Sequence, residues 1–170
     1  MLNKLEIKQL IEQEKLIENY INLDKQLTPN GFDLTVEKIS EFESAGALDF
    51  SNNERILPQG KEVQPQKLKP ADKYGWWHLK KGAYKVKTNE VINMPNKLVG
   101  LAFTRTSVLR MGAFTQNGAW DAGFKGKSEF ILVVENNYGV KIKENARIIQ
   151  LLFLRVEETE EYNGIYKHLK

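Results

Sequence analysis

The chain has 170 residues, 41 % hydrophobic and 28 % charged, with a formal net charge of +3. That is enough for one domain with a proper core, and too mild a charge, with both signs interspersed, for a nucleic-acid-binding surface. It has no cysteine and two histidines, His78 and His168, which excludes disulfides, thiolate nucleophiles and cysteine metal sites and argues against a histidine-rich metal centre. The N-terminal MLNKLEIKQLIEQEK is laced with charge, and no stretch approaches the roughly 20 apolar residues of a membrane span, so the expectation is a cytoplasmic protein without membrane contact.

Leu2, Leu5, Ile7, Leu10 and Ile11 form an imperfect helical stripe, and Asn3 followed by Glu6 reads as a capping box, predicting one amphipathic N-terminal helix. After an Asn-Gly turn signal the period changes to two: Phe32, Leu34 and Val36 alternate along a strand that puts Asp33 on the opposite side. Asp33 reads either as a surface carboxylate at a strand start or as a site residue. Residues 44–72, with Gly46, Pro58, Gly60, Pro65 and Pro70, read as a loop or weakly paired strands. Trp76, Trp77 and His78 open a strand, Tyr84 and Val86 alternate in the next, and Pro95-Asn96 marks a turn. Residues 128–158 read as strands separated by turns at Asn136 to Gly139 and at Glu144-Asn145, the last running from Ile148 to Leu154. The two-residue period through most of residues 32–156 predicts an all-β sandwich or barrel, with helical periodicity confined to the chain ends. No repeat or linker divides the chain, so residues 1–170 are expected to form one domain. The polar, aromatic tail, residues 160–170, is a frayed end or a segment that orders on a ligand.

Polar chemistry concentrates between Val99 and Gly126. Arg105 and Arg110 suit bidentate phosphate contacts, Ser107 adds a short-reach donor, and a helical turn from Ser107 to Met111 would present backbone N–H groups to an anion. The competing reading gives both arginines structural ion pairs. Asp121, set among glycines and aromatics, is a candidate general base or a turn residue. There is no GxxxxGK phosphate loop, GxGxxG fingerprint or HExxH zinc site, and a lone Ser107 has no nearby histidine for a triad.

RTSVLRMG (Arg105 to Gly112) and GAWDAGFKG (Gly118 to Gly126) resemble motifs of the deoxyuridine triphosphatase and dCTP deaminase superfamily, in particular its archaeal and archaeal-virus-like members. GFDL (Gly31 to Leu34) resembles the family's first motif and ARIIQLLF (Ala146 to Phe153) its late strand motif, so the resemblance covers nearly the whole chain. It implies an all-β, distorted β barrel or jelly-roll-like fold with an N-terminal helix, assembled as a homotrimer with active sites between subunits. Asp121 then falls on the hydrolase's base, and Phe124 on the aromatic beneath the deoxyribose. Arg105, Ser107 and Gln150 fall on phosphate-handling residues, with Arg110 near a neighbouring subunit's site. The segment Phe114 to Trp120, including Gln116, Asn117 and Gly118, reads the pyrimidine, and Asp33 supports the network. Tyr162 and Tyr166 belong to a closing C-terminal segment.

The resemblance further implies hydrolysis of dUTP to dUMP and pyrophosphate. Mg²⁺ would be bound mainly through substrate phosphates and water, with no protein metal site. Family deaminases carry a catalytic glutamate ten residues after the aspartate matched by Asp121, where this chain has Ile131. Glu129 and Glu135 share its strand parity, but two residues along a strand is roughly 6.6 Å, too far for proton transfer at about 3 Å without a register shift or bulge. A dCTP deaminase, or a bifunctional deaminase and triphosphatase, is the alternative activity. A non-catalytic nucleotide-binding trimer is the alternative outside enzymology.

Overall fold

A computed structural model describes residues 1–167; His168 lies outside them. Helix α1 (Lys4–Glu14) starts as its capping box directs: the Asn3 side chain accepts from the N–H groups of Leu5 and Glu6, and Glu6 accepts from Asn3 N–H at 2.8 Å. Ile7 and Ile11 are buried, whereas Leu5 is 71 % exposed. Leu5 stands two residues from Ile7, about 200° round the helix, so it cannot share that face.

The remaining elements are β1 (Ile17–Glu18), α2 (Leu23–Gln26), β2 (Leu27–Thr28), β3 (Gly31–Phe42), β4 (Gly60–Glu62), β5 (Trp76–Leu79), β6 (Gly82–Asn93) and β7 (Leu98–Thr104). They continue with α3 (Thr106–Arg110), β8 (Ala113–Gln116), β9 (Lys125–Val134), β10 (Val140–Lys143) and β11 (Arg147–Arg155). Among the described residues the main sheet has nine strands, with the path β7-β11-β3-β6-β9-β8 and short β1, β2 and β4 added at its sides. Its two edges return to each other. Thr115 N–H on β8 donates to Thr104 Oγ1 at the end of β7, 2.8 Å away, and Gly100 pairs with Trp120 in an isolated bridge. The result is a nearly closed, jelly-roll-like barrel preceded by a helix. Alternation fills it: Tyr84, Val86 and Ile92 from β6, Phe130, Leu132 and Val134 from β9, and Ile149, Leu151 and Phe153 from β11 all bury inward.

The predicted turn at Asn136 to Gly139 forms, with Gly139 N–H donating to the Asn136 carbonyl. The strands it joins do not pair with each other: β10 pairs with β5 in a separate two-stranded sheet, because both edges of β9 are already taken by β6 and β8. Trp77 is buried there, and Trp76 lies under the Lys143 ammonium, 5.3 Å from the ring centre. In residues 44–72 the expected weak pairing consists of β4 against β3 and a bridge between Ala47 and Ile56. No helix among the described residues is long and apolar enough to cross a membrane.

Candidate active site

The segment joining β8 to β9 is held at several points. Gly100 and Trp120 exchange backbone hydrogen bonds of 2.8 and 3.0 Å, an approach close enough that a Cβ on residue 100 would stand 3.0 Å from the Trp120 Cβ. The Trp120 indole N–H donates to Ser128 Oγ at 2.7 Å. Asp121 then begins a turn closed by Phe124 N–H donating to the Asp121 carbonyl, and Gly123 supplies the positive φ (+76°) at its third position. Met94 backbone groups clamp the turn, accepting from Gly123 N–H and donating to the Phe124 carbonyl. The Asp121 backbone is thus fixed while its side chain is exposed.

That side chain lines a cavity of about 540 Å³ together with Gln116, Gly118, Trp120, Phe124, Ser128, Glu129, Ile131, Tyr162 and Tyr166. Tyr162 N–H donates to the Ala122 carbonyl at 2.7 Å, and its ring lies 6.1 Å from that of Phe124. The tail therefore rests against the Asp121 turn. Among the described residues the Asp121 carboxylate has no hydrogen-bond or ion-pair partner, which leaves both oxygens available to a ligand or to water.

Arg105, Ser107, Arg110, Gln150 and Asp33 do not line this cavity. Asp33, Arg105 and Gln150 come together where β3, the end of β7 and β11 adjoin, whereas Ser107 and Arg110 stand on α3, which follows β7. Asp33 is 2 % exposed, so the surface-carboxylate reading does not hold. Its Oδ2 takes Arg105 Nε at 2.9 Å and Arg147 Nη1 at 3.3 Å, and Arg105 Nη1 donates to the Arg147 carbonyl at 3.1 Å. Burial pushes the Asp33 pKa above the ordinary carboxylate value, and the two guanidinium groups pull it part of the way back. One carboxylate between two half-exposed guanidinium groups leaves a net positive charge facing outward. The structural ion pair and the anion-binding reading of Arg105 are therefore compatible. Gln150 donates to Thr28 Oγ1 at 2.6 Å, while Ser107 and Arg110 are exposed on α3, a helix of five residues.

Of the other predicted nucleoside residues, Phe114 does not line the cavity and is 37 % exposed. Asn117 Nδ2 instead donates to the Ala102 carbonyl, at 3.4 Å. The sequence profile of the dCTP deaminase-like family matches residues 1–156.

The chain belongs to that family.

It is 43 % identical to a probable deoxyuridine 5'-triphosphate nucleotidohydrolase of Methanosarcina mazei over 171 aligned positions, 99 % of this chain and 96 % of that one. It is 35 % identical to a deoxyuridine 5'-triphosphate nucleotidohydrolase of Methanocaldococcus jannaschii, over 85 % of this chain and 88 % of that one. Among solved structures, a 2'-deoxycytidine 5'-triphosphate deaminase from Agrobacterium tumefaciens superposes with a TM-score of 0.65 over 91 % of this chain. At 17 % identity, and with this chain spanning 47 % of that one, the likeness concerns the fold alone.

Within the family frame the glutamates can be sorted. Glu135 pairs with Lys81 at 2.7 Å and does not line the cavity. Glu129 does line it, paired with Lys85 at 3.6 Å. The irregularity that could have moved Glu129 lies in the neighbouring strand: Lys87 faces Glu129 and Val91 faces Lys127, so the extra residues belong to β6 while β9 runs on regularly. Ile131 keeps its place in the cavity wall. Sequence reasoning missed Arg147. It lies inside the late motif, and its signal was the second guanidinium that a buried Asp33 could hold.

Proposed function

We propose that this hydrolase cleaves dUTP to dUMP and pyrophosphate, with Asp121 as the general base. The observation that carries the reading is the Asp121 carboxylate, without a partner among the described residues and lining a cavity walled by Phe124, Tyr162 and Ile131. Phe124 offers a flat, 9 % exposed face for the deoxyribose, and backbone groups from Gln116 to Trp120 suit the pyrimidine edge. Asp121 takes a proton from water as the oxygen bonds to the α-phosphorus; the bond from that phosphorus to the bridging oxygen breaks, and pyrophosphate leaves with the electron pair. Arg105 and Arg147 stabilise the charge growing on the leaving group, and Ser107, Arg110 and Gln150 complete the phosphate contacts.

The phosphate residues lie outside the Asp121 cavity of their own chain, which supports active sites shared between subunits of a homotrimer. A second support is an apolar face on β7, α3 and β11. Leu101, Phe103 and Leu109 are exposed at 42 %, 59 % and 52 %, beside Leu152 and Leu154, which pair across from Leu101 and Val99. Among the described residues no three His, Asp or Glu side chains converge as a metal cage. Mg²⁺ accompanying the substrate would be held by phosphate oxygens and water, where it would neutralise charge on the triphosphate.

Glu129 in the cavity favours dCTP deamination. Its Lys85 partner and its position two residues short of Ile131 count against it. The test is Asp121→Asn, which keeps shape and one acceptor but cannot take the proton. The expected result is a kcat lower by about 10²- to 10⁴-fold with affinity for a non-hydrolysable dUTP analogue retained; wild-type kcat ends the assignment.

A further inference from the structure

Glu90 is fully buried on β6, within Thr88 to Glu90, three residues that oppose only Ser128 on β9. It has no ion-pair partner among the described residues, and the reaction as described does not use it. Three donors converge on its two oxygens: Gln26 Nε2 at 2.7 Å and Thr35 Oγ1 at 2.6 Å on Oε1, and Thr35 N–H at 2.9 Å on Oε2. Towards the ionised carboxylate, which can only accept, the Thr35 hydroxyl is the donor, and its oxygen accepts in turn from Asn89 Nδ2 at 2.9 Å. An amide there would set its NH₂ against either the Gln26 NH₂ or the Thr35 N–H, so glutamine cannot reproduce these contacts. Burial pushes the Glu90 pKa up, and the hydrogen bonds from Thr35 and Gln26 pull it part of the way back.

The same donors lead to the arginines. Gln26 Nε2 also donates to the Asp33 carbonyl at 2.9 Å, and Gln26 Oε1 accepts from Ile21 and Asn22 N–H at 2.8 and 2.9 Å, fixing the entry to α2. The next carbonyl on that helix, Lys25, accepts from Arg147 Nη1, whose other partner is Asp33. A buried charge without a counter-ion opposes folding relative to an apolar side chain of similar size. Glu90, however, ties one end of a chain of contacts whose other end is the guanidinium pair.

We propose that Glu90 is a positioning residue for the triphosphate end of the site, holding Gln26 and Thr35 so that Asp33, Arg147 and Arg105 stand where phosphate oxygens bind. This rests on the reading of Arg105 and Arg147 as phosphate ligands. The ligand pair that separates it from a merely structural role is a non-hydrolysable dUTP analogue, which uses the arginines, and deoxyuridine, which does not. In the full-length protein, Glu90→Gln is expected to weaken the analogue by about tenfold and raise KM in step, with deoxyuridine affinity by NMR within about twofold of wild type, an energy scale of about 1.4 kcal/mol. Combined with Arg147→Ala, it is expected to add less than about twofold to the loss from Arg147→Ala alone.

A folded Glu90→Gln variant with wild-type analogue affinity overturns the proposal, as does equal loss for both ligands. If Glu90→Gln does not fold, Thr35→Val carries the test by removing one donor and keeping the carboxylate. It should weaken the analogue about threefold and spare deoxyuridine, and unchanged analogue affinity there also overturns the proposal. Should Arg105→Ala and Arg147→Ala both leave analogue affinity intact, the phosphate reading itself falls. Should they weaken it while Glu90→Gln does not, only the positioning role falls.

Discussion

Replacing Gly123 by alanine separates the tail from the turn beneath it. At φ +76° an alanine sits in the left-handed region, a penalty of about 1–2 kcal/mol. Its Cβ would lie 2.7 Å from the Glu161 Cβ and 2.9 Å from the Glu161 Cα. Backbone cannot swing aside as a flexible side chain would, so the segment carrying Glu161 and Tyr162 must lift. Lifting loses the hydrogen bond from Tyr162 N–H to the Ala122 carbonyl, about 0.5–1.5 kcal/mol, and the Tyr162–Phe124 ring contact, about as much again. A docking energy of about 2 kcal/mol corresponds to about 30-fold in the ratio of docked to undocked tail. If the tail closes over bound nucleotide, Gly123→Ala should weaken the analogue by about 10- to 30-fold and speed amide exchange at Tyr162. The melting temperature should fall by about 2–8 °C, from the turn strain alone. Deleting residues 160–170 should give the same affinity loss, and adding Gly123→Ala to the deletion should change affinity no further. Rapid exchange at Tyr162 with analogue affinity and kcat within twofold of wild type would refute a closing role.

Arg105→Ala should raise the analogue's Kd as well as lower kcat, because the contact precedes the transition state; a loss confined to kcat would contradict it. On the proposed shared-site trimer, Phe103→Glu, which places a charge on the apolar β7 face, should convert an assembly of three 19.6 kDa chains into monomers with little kcat left, as read by sedimentation; an active monomer would sink that proposal. Asp33 and Glu90 both have pKa values raised by burial, so the folded chain holds protons that the unfolded chain has released. Their contribution to stability is least at neutral pH, grows as pH falls through the folded values and levels off below the ordinary values of 3.8 and 4.5. The melting temperature of wild type minus that of Glu90→Gln should therefore increase as pH falls from neutrality towards the ordinary value of 4.5, and a shrinking difference would contradict the assignment.

What the sequence reveals depends on how local each cause is. The Asn3–Glu6 capping box, the Phe32, Leu34, Val36 alternation and the turn at Gly139 are set by neighbours a few residues away, and the structure contains all of them. The exposure of Leu5 follows from its angle round the helix, which hydrophobicity alone does not carry. The β10–β5 pairing escaped because a turn signal says where a strand ends and nothing about which edge is free. Asp33 looked like a surface group since alternation sets it opposite Phe32 and Leu34. Its burial comes from Arg105 and Arg147, 72 and 114 residues onward. Glu90 offered no signal at all, as its partners Gln26 and Thr35 are joined to it only by the register of the sheet. The candidate site residues were legible as motifs, but their division into a cavity beside Asp121 and a separate guanidinium cluster required coordinates.

The most direct test of the central claim is to incubate the wild-type protein with equimolar dUTP and dCTP plus Mg²⁺ in ¹⁸O-labelled water and to identify every product by mass spectrometry. Water activated by Asp121 and attacking the α-phosphorus predicts dUMP carrying one ¹⁸O, unlabelled pyrophosphate and intact dCTP. Deoxyuridine nucleotides formed from dCTP, or label found in pyrophosphate with unlabelled dUMP, would contradict it.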